Sequence, residues 1–203
     1  MIDWRGVEAI WLDMDGTLLD LHYDNYFWVE HLPKKIAALQ AIPFSEARRQ
    51  LKSQIRAKHG SLDYYCTDYW SDFLDIDILS LKHEVSDRIR FLPHAKQLLE
   101  QLAKLEIPMA IVTNAHRDTI KVKDEKLGIT NYVDHVSASH DFGRPKEDPS
   151  FWPAFAKVFD FNPEKTVLID DNEQVLRSAE KYKIHHLILP LKPDSQQPHQ
   201  SIQ

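Results

Sequence analysis

Four short runs of mostly apolar residues constrain the fold of this chain most. Each run ends abruptly at a polar residue or a proline. They are residues 9–12 before Asp13, 109–112 before Thr113, 166–169 before Asp170, and 186–189 before Pro190. Apolar runs of this length, bounded in this way, indicate buried strands of a parallel sheet. Residues 132–137 form a weaker fifth candidate strand.

Stretches with helical spacing of apolar residues lie between these runs. One face is formed by Leu98, Leu99, Leu102 and Leu105, and another by Val175, Leu176, Ala179 and Tyr182. Strands that alternate with helices predict an α/β fold, with a doubly wound parallel sheet in a Rossmann-like core. Ligands of such sheets bind outside the carboxyl ends of the strands. We therefore expect Asp13, Thr113 and Asp170 to gather at one edge of the sheet.

Residues 20–90 interrupt this alternation and predict a helical insertion. They are rich in helix formers, aromatic residues and charges, and contain no run that resembles a strand. The helical segments are expected at residues 23–31, 44–58, 64–74 and 78–90, with breaks at Pro33, Pro43 and Gly60. We expect residues 1–19 and 91–203 to form the core and residues 20–90 to form a cap. The tail, residues 192–203, is polar and is expected to be frayed.

Composition narrows the possible partners and the cellular location. The 203 residues suit one domain with a small insertion, and the net charge of -6 disfavours nucleic acid as the main partner. Cys66 is the only cysteine, which excludes an internal disulfide and a zinc cluster built from cysteines. Without a recognisable secretion signal or a membrane-spanning stretch, we expect a cytoplasmic protein with no membrane partner. Composition does not predict the oligomeric state.

Four carboxylates follow two of the predicted strands. Asp13 and Asp15 stand two residues apart before Gly16, and Asp170 and Asp171 follow another strand. Burying such groups together disfavours their ionisation unless a cation or hydrogen-bond donors compensate. Oxygen ligands without imidazoles favour magnesium over zinc. The sequence predicts a site at which Asp13, Asp15, Asp170 and Asp171 hold Mg2+.

Phosphoryl transfer is the chemistry that this set fits best. Asp13 is suited to attack phosphorus as a covalent nucleophile, because aspartate serves that role in phosphoryl transfer. Asp15 is suited to protonate the leaving oxygen and then to take a proton from the attacking water. Thr113, Asn114 and Lys146 are predicted to bind the phosphoryl oxygens through a hydroxyl, an amide and an ammonium group.

The motifs Asp13-x-Asp15-Gly16-Thr17, Thr113-Asn114, Lys146 and Asp170-Asp171 resemble, in their order, the four motifs of the haloacid dehalogenase-like hydrolase superfamily. This resemblance implies that Asp13 is the nucleophile and Asp15 the acid and base. It also implies that magnesium is bound by Asp13, Asp170 and the main-chain carbonyl of Asp15, with Asp171 acting through water. The insertion after the first motif would then be a helical cap that opens and closes over the site.

A narrower resemblance suggests the substrate. Residues 18–28, 64–70 and 142–148 are similar to a bacterial branch of nucleotidases that act on GMP and IMP. The implied partner is a small phosphorylated metabolite, a purine nucleoside monophosphate. Tyr26 and Tyr69 are candidates for stacking on the purine, and Asp24 and Asn25 for bonding a base edge or a ribose hydroxyl. Packing inside the cap is the alternative role for the aromatic residues.

Other functions remain open from the sequence. A sugar phosphate phosphatase or a phosphomutase uses the same motifs, and a binding protein can retain the scaffold without the activity. A haloalkanoic acid dehalogenase has the same fold but does not need the additional carboxylates. Individually, the motifs also have structural explanations: Asp13 and Asp15 can form turns, Thr113 can cap a helix, and Lys146 can lie in a solvated loop.

Overall fold

The computed structural model describes residues 3–200, and its centre is a sheet of five parallel strands. The strands are β1 (Ala9–Leu12), β2 (Met109–Thr113), β3 (His135–Ala138), β4 (Thr166–Ile169) and β5 (His186–Ile188), in the order β3-β2-β1-β4-β5. The four predicted strands are confirmed, and the weaker fifth begins three residues later than expected. Leu12 is in register with Ile111 and with Ile169, so the central strands end together.

The two faces of the sheet belong to two separate apolar clusters, because successive residues of a strand point to opposite sides. Ile10, Leu12, Ile111, Val167 and Ile169 pack in one cluster, and Ala9, Trp11, Ala110, Val112 and Leu168 pack in the other. Three aromatic residues cover the second face: Phe151, Trp152 and Phe155. Coverage on both faces confirms the doubly wound α/β fold.

Six α-helices lie between residues 20 and 90, all of which the structure describes. They are α1 (His22–Tyr26), α2 (Leu32–Gln40), α3 (Phe44–Ala57), α4 (Leu62–Tyr65), α5 (Thr67–Leu74) and α6 (Ile78–Glu84). The chain enters and leaves this segment at one place, because the amide of Asp20 donates to the carbonyl of Arg90 and that of Leu92 to the carbonyl of Leu18. The two ends of the helical segment therefore lie side by side, next to residues 19 and 91. The division of the chain into core and cap at those residues stays a prediction.

The expected break at Pro33 was wrong. Residues 22–40 are helical throughout, because a π-helical turn (Phe27–His31) joins α1 to α2 and Pro33 lies in the first turn of α2. Proline normally disrupts a helix by lacking an N–H and by crowding the carbonyl four residues earlier. The wider π turn, in which the amide of Leu32 donates to the carbonyl of Phe27, precedes the proline and lets the helix continue. Helix α2 was therefore missed from the sequence.

Four helices pack on the sheet: α7 (Ala95–Ala103), α8 (Arg117–Leu127), α9 (Phe151–Phe155) and α10 (Glu173–Lys181). Val175, Leu176 and Ala179 of α10 are buried as predicted. Of the face expected around α7, Leu99 and Leu102 are buried, whereas Leu98 and Leu105, which follows the helix, are exposed. Helix α8 is largely polar and gave no clear apolar face in the sequence.

The tail is ordered as far as residue 200, contrary to the expectation of fraying. Asp194 is buried, and its Oδ2 accepts a hydrogen bond from the side-chain Nδ2 of Asn25 at 2.7 Å. The side-chain amide of Gln200 donates to the carbonyl oxygens of Asp171 and Pro190. These polar side chains hold the tail through hydrogen bonds. Its polar composition therefore did not indicate that the tail would be ordered. Residues 201–203 lie outside the described part of the chain.

Candidate active site

A buried ammonium group joins the ends of β1 and β4. Lys146, in the loop between β3 and α9, is 1% exposed, and its Nζ donates to Asp13 Oδ1 and to Asp170 Oδ2, each at 2.6 Å. The same Nζ donates to the carbonyl oxygen of Val112 at 2.8 Å. A buried charge is tolerated when it is paired and hydrogen-bonded, as here. The structure thus brings together residues that lie far apart in the sequence, as the strand ends predicted.

Asn114 attaches the loop that carries Lys146 to the end of β2. Its Oδ1 accepts a hydrogen bond from the amide of Lys146 at 2.9 Å, and its Nδ2 donates to Glu147 Oε2 at 2.8 Å. The neighbouring Thr113 is 1% exposed, and its Oγ1 accepts from the amide of Ala115 at 3.1 Å. Both residues therefore have structural hydrogen bonds, while both also line the cavity described below.

Three carboxylates at this edge form a set that fits a divalent cation. Oxygen atoms of Asp13, Asp170 and Asp171 lie within 4.8 Å of one another. Burial raises the pKa of Asp13 to about 6, although Lys146 opposes the shift, and burial together with the nearby Asp13 and Asp170 raises the pKa of Asp171 well above its ordinary value. One ammonium group does not balance three carboxylates, and hard oxygen donors suit magnesium. The donor set of this site fits the predicted metal.

Gly16 permits the close approach of Asp171. Its φ of +83° is favourable only for glycine, and a Cβ there would lie 2.4 Å from Asp171 Oδ2 and 2.9 Å from a carbon of Pro193. The loop after β1 is closed by the amides of Leu18 and Leu19, which both donate to the carbonyl of Met14. Glycine at this position is therefore required by both the backbone and the neighbouring carboxylate.

The carboxylate of Asp15 lies apart from the metal-binding set. Its Oδ1 accepts a hydrogen bond from Lys123 Nζ at 2.6 Å. Burial raises the pKa of Asp15 to about 6, and Lys123 opposes this shift. A contribution of Asp15 to the metal site would have to come from its main-chain carbonyl, as the family resemblance implies. Asp15 also lines the cavity described below.

Lys123 was missed by the sequence analysis, although it touches a predicted site residue. It lies in α8 and is 1% exposed. The signal was its position on the buried face of that helix, four residues after Thr119 and three after Ile120. A lysine on such a face needs a buried anionic partner, which is a reason to search for one among the predicted carboxylates.

A cavity of about 1160 Å³ opens above these carboxylates. The helices of the insertion contribute a group of aromatic side chains to its wall: Trp28, Phe44, Tyr64, Tyr65 and Trp70. A second group is basic and comes from α3: Arg48, Arg49 and Lys52. The cavity therefore has an acidic floor, and its wall is aromatic and basic.

The structure brings two of the four predicted substrate-binding residues to this cavity. Asp24 and Asn25 line it. Asp24 is paired with Lys82 at 2.9 Å and with Lys123 at 2.6 Å, and Asn25 donates to Asp194. Tyr26 packs against the guanidinium of Arg88, whose centre lies 3.7 Å from the ring centroid, and does not line the cavity.

Tyr69 likewise packs within the helical insertion. Its ring lies 4.5 Å from Lys58 Nζ and is stacked on Phe73, and it does not line the cavity. The amide of Tyr69 donates to the sulfur of Cys66 at 3.4 Å, and Cys66 is partly buried. Both observations agree with packing inside the helical insertion for Tyr69 and Cys66.

Known proteins match most of the chain. A model of the haloacid dehalogenase-like hydrolases matches residues 7–181. The GMP/IMP nucleotidase YrfG of Escherichia coli K12 is 36% identical over 194 residues, covering 96% of this chain and 87% of that protein.

Solved structures share the fold at lower identity. A HAD phosphatase from Thermococcus onnurineus matches with a TM-score of 0.79 and 19% identity, covering 95% of this chain and 91% of that one. CbbY from Rhodobacter sphaeroides, solved in complex with phosphate, matches with a TM-score of 0.63 and 17% identity, covering 95% and 90%. Because the family model spans most of the sequence and the nucleotidase is similar along nearly all of it, the chain belongs to the haloacid dehalogenase-like hydrolases.

Proposed function

We propose that this enzyme, a phosphoric monoester hydrolase, is a magnesium-dependent nucleotidase that acts on purine nucleoside monophosphates such as GMP and IMP. The observation that carries this proposal is the cluster of Asp13, Asp170, Asp171 and Lys146 on the floor of a large cavity. The similarity to the nucleotidase from Escherichia coli supports the choice of substrate. A cytoplasmic location fits a chain whose only cysteine is free.

The first chemical step would place the phosphoryl group on Asp13. A carboxylate oxygen of Asp13 attacks phosphorus, the bond from phosphorus to the ribose oxygen breaks, and Asp15 gives its proton to that oxygen. Lys146 holds Asp13 in place and supplies positive charge, and Thr113 lines the same floor. Magnesium bound by Asp13, Asp170, Asp171 and the Asp15 carbonyl would supply charge neutralisation for the phosphoryl oxygens.

The second step would release phosphate. Asp15, now a carboxylate, takes a proton from a water molecule that attacks phosphorus. The bond between phosphorus and Asp13 breaks, and the free enzyme is restored. Because the same side chain acts as acid and then as base, its orientation toward the cavity matters in both halves of the reaction.

The aromatic side chains in the cavity wall favour a substrate with a planar, partly apolar group. The volume of about 1160 Å³ is more than a small phosphorylated metabolite needs. Trp28 and Trp70 are in contact with an edge-to-face geometry, with ring centroids 5.6 Å apart, and Tyr64 and Tyr65 contact each other in the same way. Such rings provide faces on which a purine can stack. We propose Trp28, Tyr64 and Tyr65 as the base-binding wall in place of Tyr26 and Tyr69, with Trp70, which is 1% exposed, packed against Trp28.

The test is phosphate release with magnesium from GMP, IMP, AMP, pyrimidine monophosphates and several sugar phosphates. The Asp13→Asn variant is the blank for contaminating phosphatase. Selective release from GMP and IMP supports the proposal. Preference for sugar phosphates would keep the chemistry and overturn the substrate, and absence of release from all of them would favour a phosphomutase or a protein without enzymatic activity.

A further inference from the structure

A chain of alternating charges runs from Asp15 into the helical insertion. Lys123 Nζ donates to Asp15 Oδ1 and to Asp24 Oδ2, each at 2.6 Å, and Lys82 Nζ donates to Asp24 Oδ1 at 2.9 Å. The order is Asp15, Lys123, Asp24 and Lys82. Two carboxylates and two ammonium groups make this set electrically neutral, which is the condition for burying it.

The lysines of this chain are fixed on two different parts of the fold. Lys123 is anchored on α8, beside the sheet, whereas Lys82 belongs to α6 in the insertion. Lys82 is also buried, its Nζ lies 4.7 Å from the ring centroid of Phe27, and its carbonyl accepts a hydrogen bond from the hydroxyl of Tyr23 at 3.1 Å. Asp24 bridges both ammonium groups and so connects the insertion to the core.

Lys123 occupies only one oxygen of the Asp15 carboxylate. An ammonium group has three donors, of which Lys123 uses one for Asp15 and another for Asp24. A carboxylate held at one oxygen by a buried lysine has a restricted orientation, and its second oxygen remains available to a substrate in the cavity that Asp15 lines. Lys123 itself does not line that cavity.

From this geometry we propose that Lys123 is a positioning residue that orients the Asp15 carboxylate toward the leaving oxygen of the substrate. Asp24 holds Lys123 in place, so the orientation of the Asp15 carboxylate depends on contacts with the helical insertion. This inference rests on the proposed function, in which Asp15 transfers the proton. It adds Lys123 and Asp24 to the residues that determine the rate.

The dependence of the rate on the leaving group distinguishes positioning from general support of the fold. A nucleoside leaves as an alcohol and needs a proton, whereas the nitrophenolate of para-nitrophenyl phosphate leaves without one. The measurement is the rate of leaving-group release in the first turnover, at saturating substrate and with magnesium. It isolates the step in which Asp15 acts as the acid.

The test variant is Lys123→Met, which keeps the length of the side chain and removes the charge. We expect it to lower release of guanosine from GMP by about 100-fold or more, and release of nitrophenol by less than about fivefold, because acid catalysis contributes on that scale. Lys123→Arg should restore part of the loss with GMP, since a guanidinium can bridge both carboxylates.

The matched control is Lys82→Met. It removes a buried lysine that binds Asp24 but not Asp15, and we expect it to lower both rates by a similar factor. Equal losses with the two substrates in Lys123→Met, or no loss with either, would overturn the inference.

A second variant keeps the test valid if Lys123→Met does not fold. Asp24→Asn preserves the shape of the side chain and weakens the hold on Lys123, and a selective loss of the rate with GMP is again expected. An equal effect on both substrates would contradict the proposal. A wild-type enzyme that releases phosphate from neither substrate would instead count against the proposed function, so the two failures are distinguishable.

Discussion

Gly16 offers a test of the geometry at the metal-binding set. Replacing it with alanine would strain a backbone with φ of +83° and would place a methyl group 2.4 Å from Asp171 Oδ2. An L residue in a left-handed conformation costs about 1–2 kcal/mol, and overpacking a filled site costs about 1–3 kcal/mol more. We therefore expect Gly16→Ala to lower the free energy of unfolding by about 2–5 kcal/mol.

Gly60→Ala is the matched control for the backbone strain. Gly60 has φ of +80°, and a Cβ there would meet nothing within 4 Å. Its replacement should therefore cost only the backbone component of about 1–2 kcal/mol. The difference between the two variants measures the crowding of Asp171 against the loop after β1.

The assay is urea denaturation of both variants, together with magnesium titration of each by calorimetry. Displacement of Asp171 in Gly16→Ala should weaken magnesium binding by about 10- to 100-fold, as is typical when the groups around a metal ligand are disturbed. Gly60→Ala should bind magnesium as the wild type does. Equal stability losses in the two variants, with unchanged magnesium affinity in Gly16→Ala, would refute this geometry.

Three further predictions concern the same site. Asp13→Asn should abolish turnover and leave the folded state intact, as judged by circular dichroism, and sustained activity would exclude Asp13 as the nucleophile. Asn114→Ala removes the hydrogen bonds to the Lys146 loop and should lower the free energy of unfolding by about 1–3 kcal/mol in urea denaturation. The pKa of Asp13 is raised to about 6 in the native state, so the native state binds more protons than the unfolded chain between about pH 4 and pH 6. The contribution of Asp13 to the free energy of unfolding therefore falls as pH rises through that window. Magnesium binds the ionised carboxylates, so it should raise Tm more above about pH 6 than below about pH 4, and a larger increase at the lower pH would contradict the assignment.

The strands and the gathering of Asp13 and Asp170 at one edge of the sheet were predictable, because both leave short signals in the sequence. A buried run that ends at Asp13 or Asp170 marks a strand end, and parallel strand ends meet at one edge of the sheet. Lys123 gave a weaker signal, because a single lysine in a polar helix is usually exposed. Its contact with Asp15 became visible only when the fold placed α8 beside that residue.

The helical insertion was harder to predict in detail. Its aromatic residues are distributed over several faces, so the sequence does not show which rings reach the cavity. The structure directs Tyr26 and Tyr69 into packing contacts and places Trp28 and Tyr64 on the cavity wall. The continuation of α2 through Pro33 depends on a π turn, which local propensity does not reveal.

Nucleophilic attack by Asp13 is tested most directly by a single-turnover experiment. Enzyme in excess would be mixed with GMP labelled with radioactive phosphate in the presence of magnesium, quenched with acid, digested and mapped. We predict that label appears transiently on the peptide that contains Asp13 and that Asp13→Asn acquires none. Label on a different residue, or hydrolysis at the wild-type rate in Asp13→Asn, would contradict the mechanism.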